Sequence, residues 1–183
     1  MKVSIFMKPM NASYKNLSCQ LITEALFRLM ETEAYEDITI SQITQEACVA
    51  RRTFYLNFNS KEDILTGHFD TLIQEYDAGV TPEISASIEL QAIHFFTFWK
   101  MHREYASLLA KNGMFHFLIR RFHLYLDHAS YKTFPDFSDT EKTYIYSYFA
   151  GGLWMMLLAW LQRDFKESPR QLADIFISMV PKA

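Results

Sequence analysis

A cluster of hydrogen-bonding side chains at residues 51–57 is the part of this sequence whose residue types suit a defined chemistry. The segment reads Arg-Arg-Thr-Phe-Tyr-Leu-Asn, and its polar members are Arg51, Arg52, Thr53, Tyr55 and Asn57. A guanidinium pairs with guanine edges and phosphates, an amide pairs with adenine, and hydroxyl groups bind phosphate oxygens. The cluster therefore suits contact with double-stranded DNA, although composition alone is equally consistent with a solvated surface.

Two short helices joined by a tight turn are predicted to position these side chains. The first helix begins after Thr39, whose hydroxyl can cap it while Gln42 reaches back in a capping box. The second helix holds residues 51–58, with Ile43 and Phe54 facing inward across the pair. In a helix-turn-helix of this kind the second helix lies in the major groove of DNA.

The remainder of the chain is predicted to be helical as well. Half of the 183 residues are hydrophobic and 16% are aromatic, whereas Gly and Pro number only 5 each, so tight turns are few. A break is expected at Gly79–Pro82 and a loop at His128–Asp136. The other helical segments are expected at Ser13–Glu33, from Ser60, at Ile84–Lys111, at Met114–Asp127, from Ser138 to Phe165 and from Ser168–Pro169 onward.

The run Thr53-Phe54-Tyr55, then Phe58, then Ser60-Lys61-Glu62 resembles the TetR/AcrR family of transcriptional regulators, with the resemblance covering residues 13–65. It implies an all-α chain with a three-helix helix-turn-helix DNA-binding domain at 1–65 and a larger helical effector-binding and dimerisation domain at 66–183. It also implies that Arg51, Arg52, Thr53, Tyr55 and Asn57 face DNA, and that Thr39 and Lys61 contact phosphates.

Three residues depart from the usual pattern of that family. Ala34 and Cys48 stand where glycine is common, and Ala50 stands where a Ser or Thr cap is common. A non-glycine residue in a left-handed turn costs on the order of 1 kcal/mol, and a lost cap costs about the same. These residues bear on the geometry of the turn.

The charge balance restricts how DNA binding can occur. The net charge is −3, and residues 1–65 hold seven Lys/Arg against eight Asp/Glu. Binding must therefore come from a local basic face rather than a basic domain. Cys19 and Cys48 have no metal-ligand spacing, and residues 1–14 lack the apolar core of a signal peptide. We therefore expect a reduced, cytoplasmic protein.

Aromatic side chains of the second domain are the candidates for an effector site. They suit an apolar or aromatic small molecule, although packing the core is the commoner role of such residues. The candidates are Phe95, Phe98, Trp99, His102, Tyr105, Phe115 and Phe122.

The uncharged run Tyr144–Leu161 is long enough to span a bilayer. An amphipathic helix follows it, which favours a four-helix interface between two copies of the chain over a membrane anchor. The expected interface residues are Gly151, Gly152, Trp154, Leu158, Leu161 and Phe176.

No catalytic, metal-binding or cofactor-binding signature is identifiable in the sequence. The sequence therefore predicts an effector-controlled regulator, expected to be a repressor, that binds a near-palindromic operator as a homodimer. Two alternatives remain: a helical effector-binding protein that acts through a protein partner, and an all-α enzyme.

Overall fold

The computed structural model describes residues 14–126 and 138–179, except for the side chains of residues 14–16, 122–126 and 146, and every regular element in those ranges is a helix. The helices are α1 (Tyr14–Met30), α2 (Ile40–Glu46), α3 (Arg51–Asn57), α4 (Lys61–Ala78), α5 (Pro82–Ser85), α6 (Ile88–Met101), α7 (Arg103–Lys111), α8 (Phe115–Leu126), α9 (Asp139–Gln162) and α10 (Pro169–Ser178).

The chain divides into two compact units, Met1–Ile73 and Gln74–Ala183, and the boundary falls within α4. In the first unit α1 packs against both α2 and α3. Ile22, Leu26, Ile43, Phe54 and Leu65 are fully buried, which places one apolar side of each helix in a common core.

The second unit is built on α6, which packs most extensively against α10 and also contacts α9. Its core is unusually aromatic: Phe95, Phe96, Trp99, Trp154 and Trp160 are each at most 2% exposed. Each of these rings removes a large apolar area from water, which stabilises the unit.

Serine and threonine caps begin three of the helices as the sequence predicts. The capping boxes at Thr39, Ser138 and Ser168 are confirmed, each with its Gln or Glu partner three residues later. Pro169 occupies the first turn of α10, where its missing N–H costs nothing.

The predicted helical segment from Ile84 to Lys111 is broken twice. Ser87 accepts a hydrogen bond from the Leu90 N–H and begins α6, and His102 has φ −104° and ψ 24°, which ends α6 and begins α7. Phe98 and Trp99 precede the second break and Tyr105 follows it, so the hydrophobic pattern did not reveal that break. The predicted loop at 128–136 lies outside the described residues.

Helix α9 ends at Gln162, three residues before the predicted end. Asp164 and Phe165 adopt left-handed φ values of 57° and 53°. The Phe165 N–H reaches back to the Trp160 carbonyl, and the two rings pack 4.8 Å apart. This hydrogen-bond pattern and apolar contact are those of a Schellman motif, which stops the helix.

Candidate nucleic-acid interface

The turn between α2 and α3 is a second Schellman motif. The Val49 N–H donates to the Thr44 carbonyl at 3.0 Å and the Cys48 N–H to the Gln45 carbonyl at 3.1 Å. Cys48 has φ 53°, which confirms the prediction that it occupies the glycine-favouring position of this turn. The helix-turn-helix therefore forms with a cysteine in a left-handed conformation.

Helix α3 begins without a side-chain cap. Ala50 is the N-cap residue and makes no side-chain hydrogen bond, as its methyl group predicts. The helix is instead anchored by Phe54, which is fully buried and whose ring lies 5.9 Å from that of Phe58. This anchor fixes which face of α3 points outward.

The outward face of α3 consists of Arg51, Arg52, Tyr55 and Leu56, all of which are exposed. The positions form two rows at i, i+4 spacing, so they lie side by side on the helix. The Arg51 guanidinium carbon lies 5.9 Å from the centre of the Tyr55 ring, within reach of a cation–π interaction. These side chains offer cationic, aromatic and apolar groups to a groove.

Thr53 and Asn57, which the sequence places on the DNA-facing side, are only half exposed. The Asn57 amide nitrogen donates to the Thr53 carbonyl at 2.7 Å, and its oxygen accepts a hydrogen bond from the Cys19 thiol at 3.3 Å. In this structure Asn57 therefore connects α3 to α1, and adenine recognition by Asn57 stays a prediction.

Thr39 and Lys61, the two expected phosphate contacts, both make hydrogen bonds within the protein. The Thr39 hydroxyl donates to Gln42 Oε1 at 2.7 Å and accepts from the Gln42 N–H at 3.3 Å. The Lys61 ammonium donates to backbone carbonyls of the loop between α1 and α2, including those of Glu36 and Ile38. Their phosphate contacts also remain predictions.

The candidate effector residues lie together in the second unit and are largely buried. The rings of Phe95, Trp99 and Phe115 lie 5.4, 5.2 and 5.9 Å from that of Trp154. Burial raises the pKa of Tyr105, so its hydroxyl stays protonated. The side chain of Phe122 lies outside the described residues.

His102 is the half-exposed member of this candidate effector set. Its ring packs against that of Phe98 in a tilted arrangement, with ring centres 4.4 Å apart, and its Nε2 lies 3.5 Å from the Glu75 carboxylate near the C-terminal end of α4. The Phe98 ring also packs against Tyr76 of α4 at 5.2 Å. The aromatic cluster therefore contacts the last turns of α4 directly.

The predicted dimer residues need correction because two of them are core residues. Trp154 and Phe176 are 2% and 5% exposed within a single chain, so their side chains pack in the core and leave little surface for a partner. A Cβ on Gly152 would lie 3.3 Å from the Phe176 ring, so this glycine allows α10 to pack on α9. Leu158 and Leu161 are half-buried, and Gly151 is exposed.

Five other apolar side chains of α9 and α10 are open to solvent. Tyr144, Tyr148 and Met155 of α9 are 73%, 67% and 60% exposed, and Ile175 and Met179 of α10 are 48% and 56% exposed. The spacing of the three α9 positions follows the helical period, so they form one stripe. We call these five side chains the α9–α10 stripe.

Helix α9 is also long and apolar enough to cross a membrane, judged by length and composition alone. The same test is passed by core helices of soluble proteins. Here one side of α9 is occupied by the buried residues Trp154, Leu157 and Trp160, whose contacts lie within the second unit. Packing within the chain therefore accounts for part of its apolar character.

Two families match the chain in sequence. Residues 86–182 match the family described as "Transcriptional regulator C-terminal region", and residues 22–66 match "Bacterial regulatory proteins, tetR family". The chain belongs to the TetR family of bacterial transcriptional regulators, which bind DNA through a helix-turn-helix and are not enzymes.

Curated relatives match over the DNA-binding region. The HTH-type transcriptional regulator EthR of Mycolicibacterium smegmatis is 38% identical over 52 residues, which are 28% of this chain and 24% of that protein. The HTH-type dhaKLM operon transcriptional activator DhaS of Lactococcus lactis is 33% identical over 66 residues, which are 33% of this chain and 35% of that protein. The chain thus matches about a quarter and a third of the lengths of these relatives.

A solved structure shares the fold over nearly the whole chain. The dihydroxyacetone kinase operon activator DhaS superposes with a TM-score of 0.58, covering 88% of this chain and 93% of that chain at 21% identity. At this identity the likeness shows the all-helical fold with its N-terminal helix-turn-helix, and nothing about ligand or partner.

Sequence reasoning missed Leu56 and the exposed members of the α9–α10 stripe. Leu56 lies four residues after Arg52 and so shares its face, which the helical period alone could have shown. The orientation of α9 could not be predicted in this way, because apolar residues surround the helix from Tyr144 to Leu161 and leave no polar side as a guide.

Proposed function

We propose that this chain is an effector-controlled regulator that binds a near-palindromic operator as a homodimer, with one copy of α3 in each of two major-groove segments. The observation that carries the proposal is the outward face of α3, where Arg51, Arg52, Tyr55 and Leu56 are presented by a helix anchored on buried Phe54. Two such helices would meet DNA about 34 Å apart.

Each exposed side chain of α3 has a role in this proposal. Arg51 and Arg52 supply bidentate donors for guanine edges or phosphate oxygens. The Tyr55 hydroxyl suits a phosphate, and Leu56 suits the methyl group of thymine. Because acidic residues balance the basic ones in the first 65 positions, affinity depends on these few contacts and falls visibly with salt.

The α9–α10 stripe is the proposed dimer surface. Five large apolar side chains that are each about half or more exposed are costly in water and would be covered by the same stripe of a second copy. Gly151 and Ala159 lie on the same exposed side of α9, and their small size allows two helices to approach closely.

The aromatic cluster of the second unit is the proposed effector site. The indole nitrogen of Trp99 is buried and has no hydrogen-bond partner among the described residues. A buried donor of this kind favours an aromatic or apolar effector that carries one hydrogen-bond acceptor. Displacement of Phe98 or His102 by such a ligand would shift Tyr76 and Glu75, which these residues contact. Because Tyr76 and Glu75 belong to α4, the ligand would thereby move α4.

The stoichiometry of the DNA complex tests this proposal. An operator can be selected from a random DNA library by the purified protein. Sedimentation of a fluorescent duplex that carries this selected operator should show two chains per duplex, and the free protein should be a dimer at micromolar concentration. A free protein that stays monomeric, or one chain per duplex, would contradict the homodimer.

The direction of regulation is part of the proposal. We propose repression in a cytoplasmic setting, although the relative DhaS is named an activator. A reporter placed behind the selected operator decides between the two, since a repressor lowers expression and releases it when effector is added. Expression that rises with the protein would contradict repression and leave operator binding intact.

A further inference from the structure

Lys61 is the first residue of α4, and its ammonium is enclosed by backbone carbonyls of the loop between α1 and α2. Nζ donates to the carbonyl oxygens of Tyr35, of Glu36 at 2.9 Å and of Ile38 at 2.8 Å. An ammonium has three N–H donors, so this carbonyl cage uses all of them.

The Tyr35 side chain forms a further wall of the carbonyl cage. Nζ lies 4.5 Å from the centre of the Tyr35 ring, at cation–π distance. Burial, and then the nearby carboxylates of Glu62 and Glu36, raise the pKa of Tyr35 to about 12. The ring is therefore a neutral phenol at physiological pH, and it faces the cation with its π system.

The caged loop leads directly into the helix-turn-helix. Ile38 is 2% exposed, and the next residue, Thr39, is the N-cap of α2. Gln42 completes the capping box and also donates from Nε2 to the Glu33 carboxylate at 2.7 Å. A lysine that fixes the Ile38 carbonyl thus fixes the point at which α2 begins.

We infer that Lys61 is a positioning residue, which holds the loop and the start of α2 through the carbonyl cage and does not itself bind a phosphate. Charge-assisted hydrogen bonds are about twice as strong as neutral ones. A phosphate contact from Nζ would replace at least one of these bonds, and the bonds to the Tyr35 and Ile38 carbonyls are part-buried and therefore costly to break. The inference rests on the DNA binding proposed above.

The dependence of DNA affinity on salt distinguishes positioning from phosphate contact. Each phosphate contact contributes about 0.9 to the slope of log affinity against log salt. We expect Lys61→Met to weaken binding of the wild-type-selected duplex roughly tenfold with an unchanged slope. Arg52→Ala, the matched control that removes an exposed cation, should lower the slope by about one.

A variant that keeps the charge at residue 61 also distinguishes positioning from phosphate contact, because the two roles predict different DNA affinities for it. A guanidinium binds phosphate at least as well as an ammonium, but its planar fork does not fit three converging carbonyls. Lys61→Arg should therefore fail to restore affinity, as measured well below its unfolding temperature. Restored affinity in Lys61→Arg together with a reduced slope in Lys61→Met would overturn the inference, as would wild-type affinity in Lys61→Met.

Hydrogen exchange in the absence of DNA separates this inference from the proposed function. The amides of residues 34–40 should exchange faster in both lysine variants than in the wild type, because the loop has lost its cage. Unchanged exchange there would overturn the carbonyl cage as a positioning device. Wild-type protein that binds no duplex would instead contradict the proposed function.

Discussion

Cys48 carries the conformational cost of the turn that sets α3 against α2. Its φ of 53° is one that glycine adopts freely, whereas a residue with a Cβ pays about 1 kcal/mol. The hydrogen bonds of the Schellman motif and the buried neighbours Ile43 and Phe54 hold it there. Because Cys48 adopts this unfavourable conformation, the packing of α2 against α3 determines the turn more than the conformational preference of residue 48 does.

We expect Cys48→Gly to raise the free energy of unfolding by about 1 kcal/mol, because it removes the strain of the left-handed residue. Urea denaturation followed by circular dichroism measures the change. Gln45→Gly is the matched control, since Gln45 is exposed and in a right-handed helical conformation within α2. That variant should lose about 1 kcal/mol, and a gain in both variants would contradict the argument.

At the residue scale the sequence predicted which side chains of α3 are exposed better than it predicted the hydrogen-bond partners of the polar side chains. Arg51, Arg52 and Tyr55 are exposed on α3, as the helical period requires. The bonds made by Asn57 and Lys61 could not be foreseen, because Cys19 is 38 residues from Asn57 and the Tyr35 carbonyl is 26 residues from Lys61. Contacts of such sequence separation depend on how helices pack.

At the scale of the element, capping residues predicted the starts of three helices, whereas the hydrophobic pattern did not predict the break at His102. Ser, Thr and Pro at the starts of α2, α9 and α10 act locally, so four residues of sequence suffice to predict each start. The joint at His102 falls inside an aromatic run, where either side of the helix can be buried. Its position depends on the tertiary packing of the second unit.

A pair of helix-interior glycines tests the packing of α10 on α9. A Cβ at Gly67 of α4 would come no closer than 4.0 Å to Phe58, whereas one at Gly152 would lie 3.3 Å from the Phe176 ring. We expect Gly67→Ala to gain about 1 kcal/mol in unfolding free energy from helix propensity, and Gly152→Ala to gain less or to lose. Denaturation of both variants, compared side by side, measures the difference.

Equal gains for the two glycine variants would contradict the close approach of α10 to α9. A larger loss at Gly67 would contradict the open surroundings of that residue. The comparison requires no ligand and no DNA, so it tests the architecture alone.

At the scale of the whole molecule, the two compact units divide the tasks expected of a TetR-family regulator. The first unit presents α3, and the second holds both the aromatic cluster and the α9–α10 stripe. The family and the all-helical class followed from residues 13–65 and from the scarcity of glycine and proline. The members of the proposed dimer face required the structure, since α9 is apolar on all sides between Tyr144 and Leu161.

We expect the double variant Tyr148→Glu/Met155→Glu to sediment as a monomer, because four carboxylates would meet in a dimer built on the stripe. Its circular dichroism should match the wild type, since both side chains are exposed in the single chain. Met101→Glu is the matched control: Met101 is 65% exposed on α6, outside the α9–α10 stripe, and its variant should remain dimeric. A dimeric double variant would show that the interface lies elsewhere.

Selection of duplexes from a random DNA library by the purified protein tests most directly the claim that α3 reads an operator. The wild type should enrich a near-palindromic site with half-sites about one helical turn apart. The folded, dimeric Arg51→Ala/Tyr55→Ala variant should enrich none, because it lacks both members of the exposed cation–π pair. A wild type that enriches no site at low salt, or a double variant that enriches the same site equally, would contradict that claim.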